Sequence, residues 1–111
     1  MTRMWMIKPC FLCRSHLLGE HNEIHKIIGS LKRKRSISGY IKNNYIEPKS
    51  IKRRHKELVR EMKKRGYNHN SKLPKFSIKY LPKQEREYKV DILASIIDLK
   101  KRCNICFLAN I

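Results

Sequence analysis

Three stretches of this chain place apolar residues at the 3.6-residue period of an α-helix, and this periodicity constrains the fold more than any other feature. In the first stretch, Ile24, Ile27, Ile28 and Leu31 follow the spacing i, i+3, i+4, i+7. Similar stripes recur over residues 51–62 and 92–99. Because 111 residues can enclose only one hydrophobic core, we predict a mostly α, compact single domain spanning residues 1–111. It should contain about three helices with irregular connections.

Start and stop signals set approximate bounds for these helices. The first should run from about Phe11 or Arg14 to Leu31. Residues 32–47 predict an irregular connection with one short helical turn near Gly39–Asn43. Pro48 suits the first position of the second helix, and Gly66 after three cations is a strong stop signal.

The last third of the chain begins with a stretch that contains two prolines. Residues 68–89 are therefore predicted to be extended or looping. A third helix should follow from about Lys89 to Arg102. Its predicted apolar face consists of Ile92, Leu93, Ile96, Ile97 and Leu99.

The charge of the chain is strongly one-sided. It has 27 Lys and Arg against 9 Asp and Glu, a formal net charge of +18. Residues 26–65 alone contain 15 basic and three acidic residues. Such a field attracts polyanions, so we predict a nucleic acid partner rather than a merely solvated basic surface.

Membrane and export signals are weak in this sequence. No run of 18 apolar residues occurs. Lys8 and Arg14 interrupt the N-terminal apolar run, and no small-residue cleavage site follows. We therefore expect no membrane partner, and the cytoplasm of a prokaryote or a virus-infected cell as the compartment.

The opening MTRMWMIKPCFLCRSHLLGEHNEIHK has Thr2 in second place and His16, Glu20 and Glu23 on one helix face. A second stretch, RHKELVREMKKRGYN, covers residues 54–68. On both segments the chain resembles the pyrimidine-dimer DNA glycosylase/lyases of the phage endonuclease V type. The resemblance implies an endonuclease V-like fold, a monomer without cofactor, and double-stranded DNA containing damaged pyrimidines as partner.

The resemblance also implies the catalytic pair. After removal of Met1, the α-amine of Thr2 would attack the damaged nucleotide, and Glu23 would be the catalytic carboxylate. An α-amine with a pKa of about 7.7–8.0 is neutral in about a tenth of molecules at pH 7, against about one in 2,500 for a lysine. The resulting imine would allow β-elimination, which gives AP-lyase activity. We expect the charged amine to depress the pKa of Glu23, and desolvation by bound DNA to oppose this.

Binding of the DNA backbone is assigned to polar and basic residues near this pair. Asn22 and Lys26 stand where the family prefers arginine, whose bidentate fork is thereby lost. The C-terminal CNICFLANI also differs from the aromatic-rich end of the phage enzymes. His16 is either a polar contact near the phosphates or a structural hydrogen-bonding residue. The predicted DNA-binding residues are Arg3, His16, Asn22, Lys26, Lys32, Arg33, Lys34 and Arg35.

Two motifs could hold a metal, although none is predicted to do so. The paired C-x-x-C units, Cys10/Cys13 and Cys103/Cys106, could bind structural zinc. Their apolar intervening residues favour buried thiols instead. In HNEIH, His21 and His25 lie one helical turn apart, but the order is not that of a zinc protease and no third ligand is evident. We interpret these histidines as surface residues facing DNA.

A second class of function also fits the sequence. A non-enzymatic, basic DNA-binding protein would have the same charge and the same helices, but no use for Thr2 and Glu23. Trp5, Tyr40 and Tyr45 do not discriminate between the two, since each fits the core as well as a base-stacking role.

Overall fold

The computed structural model describes residues 3–69 and 72–108, which form five α-helices and no strands. The helices are α1 Arg14–Lys32, α2 Ser38–Lys42, α3 Ile51–Lys64, α4 Lys83–Arg86 and α5 Ile92–Arg102. The mostly α prediction is confirmed, with the three long helices where they were expected and α2 as the short turn between them. Within 68–89 the expectation of loop alone was wrong, because α4 adds one helical turn. None of the described helices is long and apolar enough to cross a membrane.

Helices α1 and α3 form the centre of the molecule. Leu17, Ile24 and Ile28 of α1 and Leu58 of α3 are buried in the same apolar cluster. Helix α3 ends as the sequence predicts, with Gly66 at φ 85°. The next N–H, that of Tyr67, donates to the carbonyl of Met62 at 2.9 Å. This arrangement satisfies a carbonyl at the helix end and turns the chain away.

Helix α5 is rotated relative to the prediction. Asp91 caps it by accepting a hydrogen bond from the Ala94 N–H at 3.2 Å. Leu99 is buried as expected. The predicted apolar face was otherwise largely wrong: Ile92, Leu93 and Ile97 are 49%, 67% and 49% exposed.

The rotation of α5 has a polar cause. Asp98 pairs with the buried guanidinium of Arg3 at 2.6 Å. The fully buried Ser95 lies three positions earlier on the same face. The helix therefore turns its Ser95–Asp98–Leu99 side to the protein body. The apolar pattern of α5 cannot predict this orientation, because the orientation depends on the attraction between Asp98 and the charge of Arg3 on another segment.

Candidate active site

The N-terminal segment runs along α1 and meets it at Glu23. The backbone N–H of Arg3 donates to Oε2 of Glu23 at 3.2 Å. A cavity of about 280 Å3 opens beside this contact. Its lining residues are Arg3, Trp5, Ser15, His16, Gly19, Glu20, Glu23 and Arg102. The predicted helical face of His16, Glu20 and Glu23 thus borders one cavity, while the predicted nucleophile Thr2 lies outside the described residues.

The carboxyl group of Glu23 is half-buried, and this determines its acidity. Burial raises the pKa of Glu23 above its ordinary value, although the hydrogen bond from Arg3 opposes the shift. The expected depression by a charged amine is outweighed, because burial within the protein itself already removes water from the carboxyl group. A carboxyl group with a raised pKa exchanges protons closer to neutral pH, which suits general acid and base catalysis.

Arg3 anchors the start of the chain through its side chain. Its guanidinium lies 3.5 Å from the ring centre of Trp5 and 4.3 Å from that of Tyr45. With Asp98 as counter-ion, the residue is only 4% exposed. The sequence predicted a DNA contact for Arg3, whereas the structure gives its side chain an intramolecular role. The sequence left the roles of Trp5 and Tyr45 open and did not single out Asp98, and the structure brings all three to the side chain of Arg3.

Behind the cavity wall, Glu20 forms a buried, bidentate ion pair with Arg54 of α3. Nε of Arg54 lies 2.5 Å from Oε2 of Glu20, and Nη2 lies 2.8 Å from Oε1. Nη1 of the same guanidinium donates to the carbonyl of Ile7 at 2.7 Å. One side chain therefore joins α1, α3 and the N-terminal segment that carries Arg3. Arg54 was missed, although its spacing from Ile51 and Leu58 puts a cation within the apolar stripe.

The other predicted DNA-binding residues separate into two groups. His16 is half-buried and its ring faces thiols rather than solvent. The remaining six are exposed, two on α1 and four at and beyond its C-terminal end; they are Asn22, Lys26, Lys32, Arg33, Lys34 and Arg35. They form a polar, strongly basic surface, and their contact with DNA stays a prediction.

Within the part of the chain that the structure describes, two clusters of side chains have the geometry to hold a metal ion. One consists of Cys13, His16, Cys103 and Cys106, and the other of His21, His55 and His69; within each, the ligand atoms all lie within 4.8 Å of one another. Cys10, which the sequence paired with Cys13, belongs to neither.

The histidine cluster lies between α1 and α3. The rings of His25 and His69 each have their centres 4.8–5.4 Å from those of His21 and His55, and the centres of His21 and His55 are 5.0 Å apart. Nε2 of His21 lies 3.0 Å from Nε2 of His69. The interpretation of His21 as a surface residue was wrong, since it is buried. The sequence could not show this, because His55 and His69 are distant along the chain.

This cluster should make the folded state sensitive to acid. Burial, with repulsion from the neighbouring rings, lowers the pKa of His55 to about 4 from 6.5. Well above pH 6.5 the ring of His55 is neutral in both the folded and the unfolded state, so it does not make the free energy of unfolding depend on pH. Below pH 6.5 the unfolded chain takes up a proton that the folded one cannot, so stability falls until about pH 4. The shifted pKa of His55 alone should lower the free energy of unfolding by about 3 kcal/mol over this pH range.

Urea melts between pH 7.5 and 4, with a chelator present to keep metal from the rings, measure this loss. His55→Phe should flatten the profile by removing one titrating ring of similar size. A profile that is unchanged in His55→Phe would place the acid-sensitive groups elsewhere.

A comparison with protein families finds one match in this chain. A family model described as pyrimidine dimer DNA glycosylase matches residues 2–75, two thirds of the chain. The match contains Arg3, Glu20, Glu23 and Arg54, and it ends before α4 and α5. No curated protein and no solved structure matches the chain.

Proposed function

The chain belongs to the pyrimidine dimer DNA glycosylase family, and on this premise we propose that it excises pyrimidine dimers from duplex DNA and then cleaves the strand as an AP lyase. Membership implies DNA as the substrate and glycosylase activity in general. The use of the Thr2 α-amine, the imine and the lyase step are our proposal.

The contact between the Arg3 N–H and Glu23 is the observation that carries the proposal. Thr2 is joined directly to Arg3, and one peptide unit spans about 3.8 Å between successive Cα atoms. Once Met1 is removed, the covalent chain therefore keeps the free α-amine close to the carboxyl group. A nucleophile with an adjacent acid and base is the arrangement that imine chemistry requires.

The reaction then follows from the groups present. The neutral α-amine attacks C1′ of the damaged nucleotide, the C1′–N bond breaks and the base leaves with the electron pair. The attached nitrogen loses a proton, its lone pair forms the C1′=N bond as the C1′–O4′ bond breaks, and O4′ takes up a proton, which leaves a protonated imine between Thr2 and the opened sugar. The imine acidifies the C2′ proton, and its removal expels the 3′ phosphate by β-elimination. Glu23, with its raised pKa, is the group that gives and takes these protons.

The surroundings of the carboxyl group support a DNA substrate. The cavity of about 280 Å3 lies just below the roughly 300–1,000 Å3 range of ligand pockets. To bring a nucleotide of a duplex to Glu23, the enzyme would have to open the damaged base pair. The exposed cations Lys32, Arg33, Lys34 and Arg35 continue from the end of α1 and can neutralise phosphates along such a duplex.

Borohydride trapping tests this proposal, because reduction of the imine makes it a stable amine link. Protein lacking Met1 is incubated with three duplexes that contain a cyclobutane dimer, an AP site or no lesion. We expect a covalent adduct with the first two and none with the third. An adduct with the AP site alone would remove the dimer specificity and keep the lyase. Absence of any adduct would leave a DNA-binding protein without this chemistry.

A further inference from the structure

Three cysteines and one histidine, from the N-terminal and C-terminal parts of the chain, lie close together beside the start of α1. Cys13 is the residue before α1, and His16 lies in its first turn. Cys103 follows the last residue of α5, and Cys106 lies in the turn beyond it. The two halves of the cluster are thus about 90 residues apart in sequence, and the fold alone brings them together.

The separations of the ligand atoms match those around a single tetrahedral zinc ion. Bonds of about 2.3 Å to sulfur and about 2.0–2.1 Å to nitrogen imply S···S distances near 3.8 Å and S···N distances near 3.5 Å. The Sγ atoms of Cys13 and Cys103 are 3.9 Å apart. Nδ1 of His16 lies 3.2 Å from Sγ of Cys13 and 3.5 Å from Sγ of Cys106.

Backbone N–H groups point at two of the sulfur atoms. The N–H of Cys13 donates to Sγ of Cys106 at 3.2 Å, and the N–H of Cys106 donates to Sγ of Cys103 at 3.4 Å. Such bonds stabilise thiolates and orient them toward a metal. Three sulfurs and one imidazole nitrogen are a common donor set of closed, structural zinc sites.

We propose that Cys13, His16, Cys103 and Cys106 bind one structural zinc ion. This replaces the sequence-based pairing of two C-x-x-C units, because His16 takes the place of Cys10. The ion would tie the end of α5 to the start of α1, in a chain whose α5 turns a partly apolar face to solvent. Zinc would thereby add folding free energy where hydrophobic packing is weak.

The proposed ion is also next to the cavity beside Glu23. The ring of His16 meets the edge of Trp5, with ring centres 5.9 Å apart at 79°. Trp5 in turn lies under the guanidinium of Arg3. A metal on Nδ1 would fix the His16 ring and, through Trp5, the segment that begins the chain.

Cobalt substitution of wild-type protein tests the proposal without any activity measurement. Protein purified under reducing conditions should contain one zinc ion per chain. After exchange with Co2+, it should show a thiolate-to-metal band in the near ultraviolet and the visible bands of tetrahedral cobalt. The histidine cluster has no thiolate and cannot give the first band. Absence of that band in folded wild-type protein would overturn the proposal.

Cysteine variants identify the ligands. Cys103→Ser and Cys106→Ser should lose most of the band and of the bound zinc, whereas Cys10→Ser should keep both. An equal loss in Cys10→Ser would contradict the assignment, as would full retention in both ligand variants. If the ligand variants do not fold, the wild-type cobalt spectrum and the Cys10→Ser control still decide.

Discussion

Glu23→Gln is expected to lower the rate of strand cleavage by about 10²–10⁴-fold, the contribution usual for a positioned acid or base. Glutamine has nearly the same shape, and its side-chain oxygen can still accept the N–H of Arg3. Burial already disfavours the charged form of Glu23, so the melting temperature should stay close to that of wild type. The measurement is single-turnover cleavage of duplexes that contain a dimer or an AP site.

The matched control is Glu87→Gln. Glu87 is exposed and pairs with the exposed Lys49 at 3.2 Å, so the substitution removes the same charge at a residue that does not line the cavity. Cleavage by this variant should match wild type. A loss of less than about tenfold in Glu23→Gln, well below the range usual for an acid or base, would mean that Glu23 does not handle the protons of this reaction.

Arg54→Met is expected to destabilise the protein by about 3–5 kcal/mol, because it leaves the carboxylate of Glu20 buried without a partner. Glu20 and Arg54 are each 1% exposed, so water cannot replace the lost pair. The substitution also removes the donor to the Ile7 carbonyl. Since total stabilities are about 5–15 kcal/mol, the variant should be close to unfolding at 37 °C. Urea melts followed by circular dichroism measure the effect.

Two further variants separate the buried pair from a general effect of lost charge. Lys56→Met removes an exposed cation from the same helix and should change the free energy of unfolding by no more than about 0.5 kcal/mol. Glu20→Leu combined with Arg54→Met removes both charges and should recover much of the loss. An Arg54→Met variant as stable as Lys56→Met would contradict the role given to this pair.

Local pattern was enough to predict the helical body. The apolar period of residues 24–31 and 51–62, and Gly66 at φ 85°, depend on the chain near them, and α1 and α3 lie where they were predicted. The rotation of α5 was not predictable in this way. It depends on Asp98 meeting Arg3, a pairing across 95 residues that no local pattern contains.

The candidate site was likewise predictable from the sequence only in part. Glu23 and its helical face were predicted from spacing together with the family resemblance, and the structure puts Arg3 beside that face. Three other features depend on tertiary contacts. Arg54 pairs with Glu20, the side chain of Arg3 is enclosed, and His16 rather than Cys10 belongs to the metal-capable cluster. Each depends on residues that only folding brings together, so sequence spacing could suggest the chemistry but not the partners.

The central claim is that the α-amine of Thr2 is the nucleophile. The most direct test is to trap the protein on an AP-site duplex with borohydride, digest the complex, and locate the modified residue by mass spectrometry. The proposal predicts that the sugar remnant is on the N-terminal nitrogen of the peptide that begins at Thr2, and that acetylation of this amine abolishes trapping. A remnant on a lysine side chain, with trapping intact after N-terminal acetylation, would contradict it.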